Sequence, residues 1–138
     1  MIATINEYFA RSSAKDFDGM LKLCTDDVEM RIPYQPPGFP NKGTGKAEVR
    51  QMSAAAERYD RVEQRVVSAE PMLDPNGWLV ETKGDMVVRS TGRPYRNDYL
   101  NVVRFRDGKI AEIVTYHDSV AMLVAFDMIK DLPAPPEI

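Results

Sequence analysis

The chain has 138 residues, 43% hydrophobic and 28% charged, enough for one globular domain with a real core and too few for two. Its 18 basic and 21 acidic residues leave a net charge of -3, and the Lys and Arg side chains are scattered, which argues against a nucleic-acid partner. No apolar run reaches the ~20 residues that span a bilayer, the opening "MIATINEYFARSS" lacks the charged-then-apolar plan of a secretory leader, and one cysteine with one histidine makes neither a disulfide nor a zinc set, so a cytoplasmic protein without membrane contact is expected.

Thr4 and Glu7 have the spacing of a capping box, and Ile5, Tyr8 and Phe9 share a stripe, which predicts a helix near residues 4 to 14. A second helix is predicted from the cap Asp16, with Phe17, Met20, Leu21 and Cys24 on one face; Cys24 is read as buried filler rather than a nucleophile. "VEMRIPY" reads as a short strand. Three prolines and three glycines make "QPPGFPNKGTG" a loop. "KAEVRQMSAAAERY" supplies a third helix, with Val49, Met52, Ala56 and Tyr59 on a stripe. Four strands follow, near 62 to 70, 78 to 90, 94 to 106 and 109 to 117, with "TGRP" and "RDG" as turns. The tail "SVAMLVAFDMIKDL" is a helix capped by Asp118 and stopped before Pro133.

The last two strands hold the polar residues of interest. "RDGK" favours a three-residue loop ending in a glycine bulge at Gly108, with a two-residue Asp-Gly turn as its competitor. The three-residue loop pairs Val103 with Ala111, Asn101 with Ile113, Tyr99 with Thr115 and Asn97 with His117, which gathers polar groups on one face. The other face carries Leu100, Val102, Ile110, Val114 and Tyr116 with Arg104 and Glu112, too apolar to stay wet, and predicts a homodimer through the outer sheet face. "GTGK" at 43 to 46 is not a phosphate loop, because Ala47 stands where Ser or Thr is needed and no apolar strand leads into it. Strand-helix alternation for a dinucleotide fold is lacking. Ser119 and Asp118 adjoin His117 in sequence without forming a triad, since strand neighbours point to opposite faces.

These elements predict an α+β fold: a cone-shaped, curved mixed sheet of about five strands, three helices from the N-terminal half packed on it, and a C-terminal helix. The chain resembles the superfamily related to nuclear transport factor, which holds ketosteroid isomerase, limonene epoxide hydrolase and SnoaL-like polyketide cyclases. "EYFARSSAKDFDGMLKLCTDDVEMRIP" is similar to the isomerase opening, including its helix-one aromatic and its "D-x-D-G" start of helix two. "NGWLVETKGD" and "GKIAEIVTYHD" are closer to the hydrolase. The resemblance specifies a fold better than a reaction, because this fold carries several chemistries.

The resemblance implies that Tyr8 falls on the tyrosine that donates to a developing oxyanion, and that Asn101 falls near the second donor, a protonated aspartate. The isomerase base falls on Ile32, which has no proton to exchange. Against the hydrolase, Lys83 and Asp85 fall on the arginine and aspartate that orient the attacking water, although counting back from "TGR" shifts that register by one. Thr115 falls on its second aspartate, a far weaker acid than a carboxyl group, so His117 is the nearby group that titrates around neutral pH. The implied catalytic set is Tyr8, Asn101, His117 and Asp85. Tyr34, Phe39, Asn97 and Tyr99 would bind substrate, with Ile113, Thr115, Ile32 and Met52.

Each of these also has a plain structural reading. Tyr8 reads equally as a core tyrosine, Asn101 as an amide bridging strands, and His117 as a surface residue beside the Asp118 cap. Glu81, Lys83 and Asp85 share one strand parity, as solvent-facing charges do. Tyr34 and Phe39 are equally lid aromatics or loop packing. The expectation is an enzyme without cofactor or metal, acting on an apolar organic molecule by isomerase-, cyclase- or dehydratase-type acid-base chemistry. The alternatives are a small-molecule-binding protein, an epoxide hydrolase, or a dimeric protein-interaction module.

Overall fold

The computed structural model describes residues 1–130. Helix α1 (Ile2–Ser13) and the short α2 (Phe17–Leu21) precede strand β1 (Cys24–Arg31) and the three-residue β2 (Lys42–Thr44). Helix α3 (Gly45–Ser53) runs into a 3₁₀ turn at Ala54–Arg58. The long strands β3 (Tyr59–Pro71), β4 (Gly77–Val88), β5 (Pro94–Arg106) and β6 (Lys109–His117) follow, and α4 (Ser119–Ala125) closes the sequence of elements. The six strands form one open sheet in the order β2-β1-β6-β5-β4-β3, antiparallel except where β1 runs parallel to β6. This is the expected curved mixed sheet with one strand more.

Alternation decides which face is covered. Along β4, Val80, Thr82, Gly84, Met86 and Val88 are buried while the residues between them face outward. From β5, Asn97, Asn101, Val103 and Phe105 join them. The helices cap this inner face with Ile5, Tyr8 and Phe9 of α1, Phe17 and Met20 of α2, and Val49 of α3. Val28, Val80 and Val103 are almost fully buried in the same core, each worth about 1.5–3 kcal/mol relative to exposure. A second cluster forms under α4, where Met122 and Ala125 pack on Met86, Val88 and Tyr95.

Several local expectations are corrected. The capping box does not form: α1 begins at Ile2 with no side-chain cap, and Glu7 accepts from Arg11 one turn on at 2.6 and 2.9 Å. The Asp16 cap is present, accepting from the Gly19 amide at 3.0 Å. Cys24 starts β1 rather than ending α2, although it is buried as expected. That strand therefore begins earlier than "VEMRIPY". The proline loop contains β2 because Lys42 to Thr44 find partners on β1, a long-range pairing that local proline and glycine signals do not encode. The third helix stops at Ser53, and Tyr59 begins β3 instead of completing a helical stripe. Helix α4 keeps the Asp118 cap, which accepts from Val120 and Ala121, but ends at Ala125. Its expected stop before Pro133 lies outside the described residues.

The β5–β6 hairpin uses the two-residue turn. Asp107 and Gly108 both have positive φ, 52° and 78°, as a type I′ turn requires, and Arg106 faces Lys109. One residue further from the turn the register shifts, leaving Ala111 as the extra residue of a bulge. The turn and the bulge together displace the expected register by two, one full strand repeat. Most faces therefore survive: Asn101 pairs with Thr115 and Tyr99 with His117 on the inner face. Ile110, expected outside, lies before the bulge and is buried in the core opposite Phe105.

Candidate functional site

A cavity of about 210 Å³ lies between the helices and the inner face of the sheet. Tyr8 enters it from α1, Phe17 and Met20 from α2, and Met52 from α3, because these are the inward positions of each stripe. The sheet contributes Met30 of β1, Gln64 of β3, Met86 of β4 and Tyr99 of β5. Ile32, Gln35 and Pro40 bring the proline loop to its wall, with Gln35 tied to the Pro40 carbonyl at 3.2 Å. Among the described residues, none of those lining the cavity is charged.

The Tyr8 ring is 4% exposed and packs edge-on against Phe9, 5.2 Å between centroids. Its hydroxyl bonds no other described group, and burial pushes its pKa strongly upward, so it stays protonated as a donor in an apolar space. Tyr99 also lines the cavity, and its hydroxyl reaches the Tyr95 hydroxyl at 3.4 Å. Burial raises the pKa of Tyr59, Tyr95 and Tyr99 in the same direction.

Asn101 is inside the protein but behind this wall. Its amide nitrogen donates to the Val80 carbonyl at 3.0 Å and to the Thr82 hydroxyl at 3.1 Å, while its oxygen accepts from Thr115 at 2.8 Å. Gln64 completes the chain by donating to Thr82 at 2.9 Å. Both Asn101 donors are thus committed to the sheet, and the strand-bridging reading describes it.

His117 sits one layer further along. Its ring stacks on Tyr99 at 6.0 Å and 16°. Nδ1 lies 3.4 Å from the Asn97 amide nitrogen, and the Asn97 oxygen accepts from the Asp118 amide at 3.0 Å. The two Asn97 N–H groups are taken by shorter bonds, so the Nδ1 contact is a close approach rather than a hydrogen bond. Nε2 is buried without a partner among the described residues. Burial lowers the His117 pKa, opposed by the nearby Asp118. Asn97 also donates to the Tyr95 hydroxyl at 2.7 Å and to the Asp118 carbonyl at 2.9 Å, so it fixes the start of α4.

The remaining expected residues separate. Asp85 projects from the outer face of β4, paired with Arg61 at 2.9 Å and near Arg96 at 3.8 Å in an open groove shared with Lys83 and Asp98; the sheet stands between it and the cavity. Tyr34 is 60% exposed, edge-on to Tyr116. Phe39 packs on Phe126 at 5.1 Å under the Arg58 guanidinium. Ile113 is core filler and Thr115 serves Asn101. Tyr8, Tyr99, Ile32 and Met52 are thus brought together, whereas Asn101, His117 and Asp85 do not reach the cavity. Gln64 escaped sequence reading, though a polar residue between Val62 and Val66 at the same strand parity is the signal that points to it. Among the described residues no three His, Cys, Asp or Glu side chains gather as a metal set, and no helix is long and apolar enough to cross a membrane.

The arrangement can hold an apolar molecule and polarise one of its oxygens by a phenolic hydrogen bond. Comparison with known proteins agrees with the fold that builds it. The profile of the SnoaL-like domain matches residues 5–113. The uncharacterized protein YesE of Bacillus subtilis (strain 168) is 26% identical over 133 residues, covering 89% of this chain and 84% of that one. A crystal structure of a Bacillus subtilis protein named "Putative Isomerase" superposes with a TM-score of 0.83 at 25% identity over 91% of both chains. A protein of ketosteroid isomerase-like fold from Catenulispora acidiphila, in complex with trimethylamine, gives 0.77 at 12% identity over 88% of this chain and 90% of that one.

Proposed function

The chain belongs to the SnoaL-like family, and from that premise we propose that it acts on an apolar small organic molecule whose carbonyl or similar oxygen accepts from Tyr8. The observation that carries this reading is the Tyr8 hydroxyl: protonated, without a hydrogen-bond partner among the described residues, and set in an uncharged, largely apolar wall. In isomerisation or ring closure next to a carbonyl, negative charge grows on the oxygen, and a fixed donor in a dry site strengthens its hydrogen bond as that happens. The walls hold the substrate in its reacting conformation. With no carboxylate or imidazole on the described wall, the proton acceptor in this reading is a basic group of the substrate itself.

Tyr8→Phe tests this. Turnover of a bound ketone or enone should fall by about 10²-fold, while stability changes by no more than about 1 kcal/mol, since the hydroxyl bonds no described residue. Unchanged turnover removes Tyr8 from the chemistry. A second reading, a binding protein without catalysis, is favoured by the uncharged wall. It predicts that the same substitution weakens ligand binding several-fold and that no product accumulates with either protein.

A further inference from the structure

We propose that the ligand of this cavity is an uncharged molecule built on a single aromatic ring bearing a carbonyl oxygen. This rests on the reading of the cavity as the working site and narrows what enters it.

Size sets the first bound. A dry cavity of about 150 Å³ accepts benzene, and sites for drug-sized ligands run from about 300 Å³ upward. At about 210 Å³, one substituted ring fits within the walls, whereas a fused polycycle would project through the open mouth. Charge sets the second. A buried carboxylate or ammonium needs a partner, and the described wall residues supply no opposite charge. Wall chemistry sets the third. Met20, Met30, Met52 and Met86 all line the cavity, four methionine side chains around a space that one ring fills. Sulfur prefers the edge of an aromatic ring over an aliphatic surface, an advantage of about two- to tenfold in affinity per good contact. Phe17 and Tyr59 add edges and faces for the same ring. The carbonyl follows from Tyr8, whose hydroxyl, without a partner among the described residues, is matched by an acceptor.

Calorimetric titration with four probes decides the matter. Acetophenone should bind, cyclohexyl methyl ketone of the same length should bind about three- to tenfold more weakly, and benzoate at pH 7 and a four-ring steroid enone should bind more weakly than acetophenone. Acetophenone binding should weaken in Tyr8→Phe, and the preference for the aromatic ketone should shrink toward unity in Met52→Leu/Met86→Leu, which conserves volume. Binding of the steroid or of benzoate at least as tight as that of acetophenone overturns the proposal. So does equal affinity for the two small ketones, or a preference unchanged in the double variant. In those cases Tyr8-dependent binding still upholds the broader reading of the cavity. Failure of all four probes to bind overturns both.

Discussion

His117 is held neutral by its surroundings. Its ring lies flat against Tyr99, Nδ1 is 3.4 Å from the Asn97 amide nitrogen, and burial lowers its pKa below the ordinary 6.5 against the pull of Asp118. The unfolded chain takes up this proton as pH falls through about 6.5, whereas the folded chain resists until lower pH, so the unfolded state binds more protons in that interval and stability declines. Wild type should therefore lose stability relative to His117→Phe as pH drops from 7.5 toward 5. Urea midpoints measured in parallel check this, and parallel curves would refute it. At this scale Asn101 shows where reading a sequence stops. Its inward position is legible from strand parity, but whether an inward amide reaches a cavity depends on the Val80 carbonyl and the Thr82 hydroxyl, set by the register of another strand. Tyr8 is legible because its helical stripe with Ile5 and Phe9 is local.

Between elements, Gly84 governs how the sheet meets the cavity. It occupies an inward position of β4, and a Cβ built there lies 2.8 Å from Tyr99 Cε2 and 3.0 Å from the Met86 Sδ and Cε. Met86 can bend away, but the Tyr99 ring is confined between Gly84 and His117. Gly84→Ala should cost about 1–3 kcal/mol by overpacking and shift Tyr99 enough to weaken ligand binding. In a Tyr99→Leu background the cost should shrink, a coupling that a double-mutant cycle reads directly; additive effects would mean the ring is not the obstacle. The elements themselves are largely legible: α1, the Asp16 and Asp118 caps and four long strands follow from stripes, alternation and turn residues. Those that escape are set by distant partners. β2 exists through β1, and the bulge at Ala111 keeps the hairpin faces intact although the turn has one residue fewer than favoured. Asp85 belongs to this scale too, since its parity with Glu81 and Lys83 already places it on the outer face, against what the hydrolase resemblance implies.

Across the whole molecule, tyrosines join the layers. Tyr8 links α1 to the main core. Tyr59 stacks on Tyr95 at 5.9 Å and meets Phe126 beyond α4 edge-on, and Tyr99 bridges the cavity to the polar cluster at the start of α4. In all four, burial raises the pKa above the ordinary 10, so the fold holds these phenols protonated where the unfolded chain does not. Below pH 10 both states carry the protons and stability is intact. Above it the folded chain binds more protons than the unfolded one, so each further rise in pH favours unfolding. The four phenolates should therefore appear only as the structure is lost. Absorbance of ionised tyrosine followed together with far-ultraviolet circular dichroism would show this part of the phenolate signal rising in step with loss of the sheet. Ionisation of these four near pH 10 with the dichroism intact would mean that water reaches the cavity and the α4 cluster far more freely than their burial implies, and Tyr8 would then lack the dry surroundings on which its role as a donor depends.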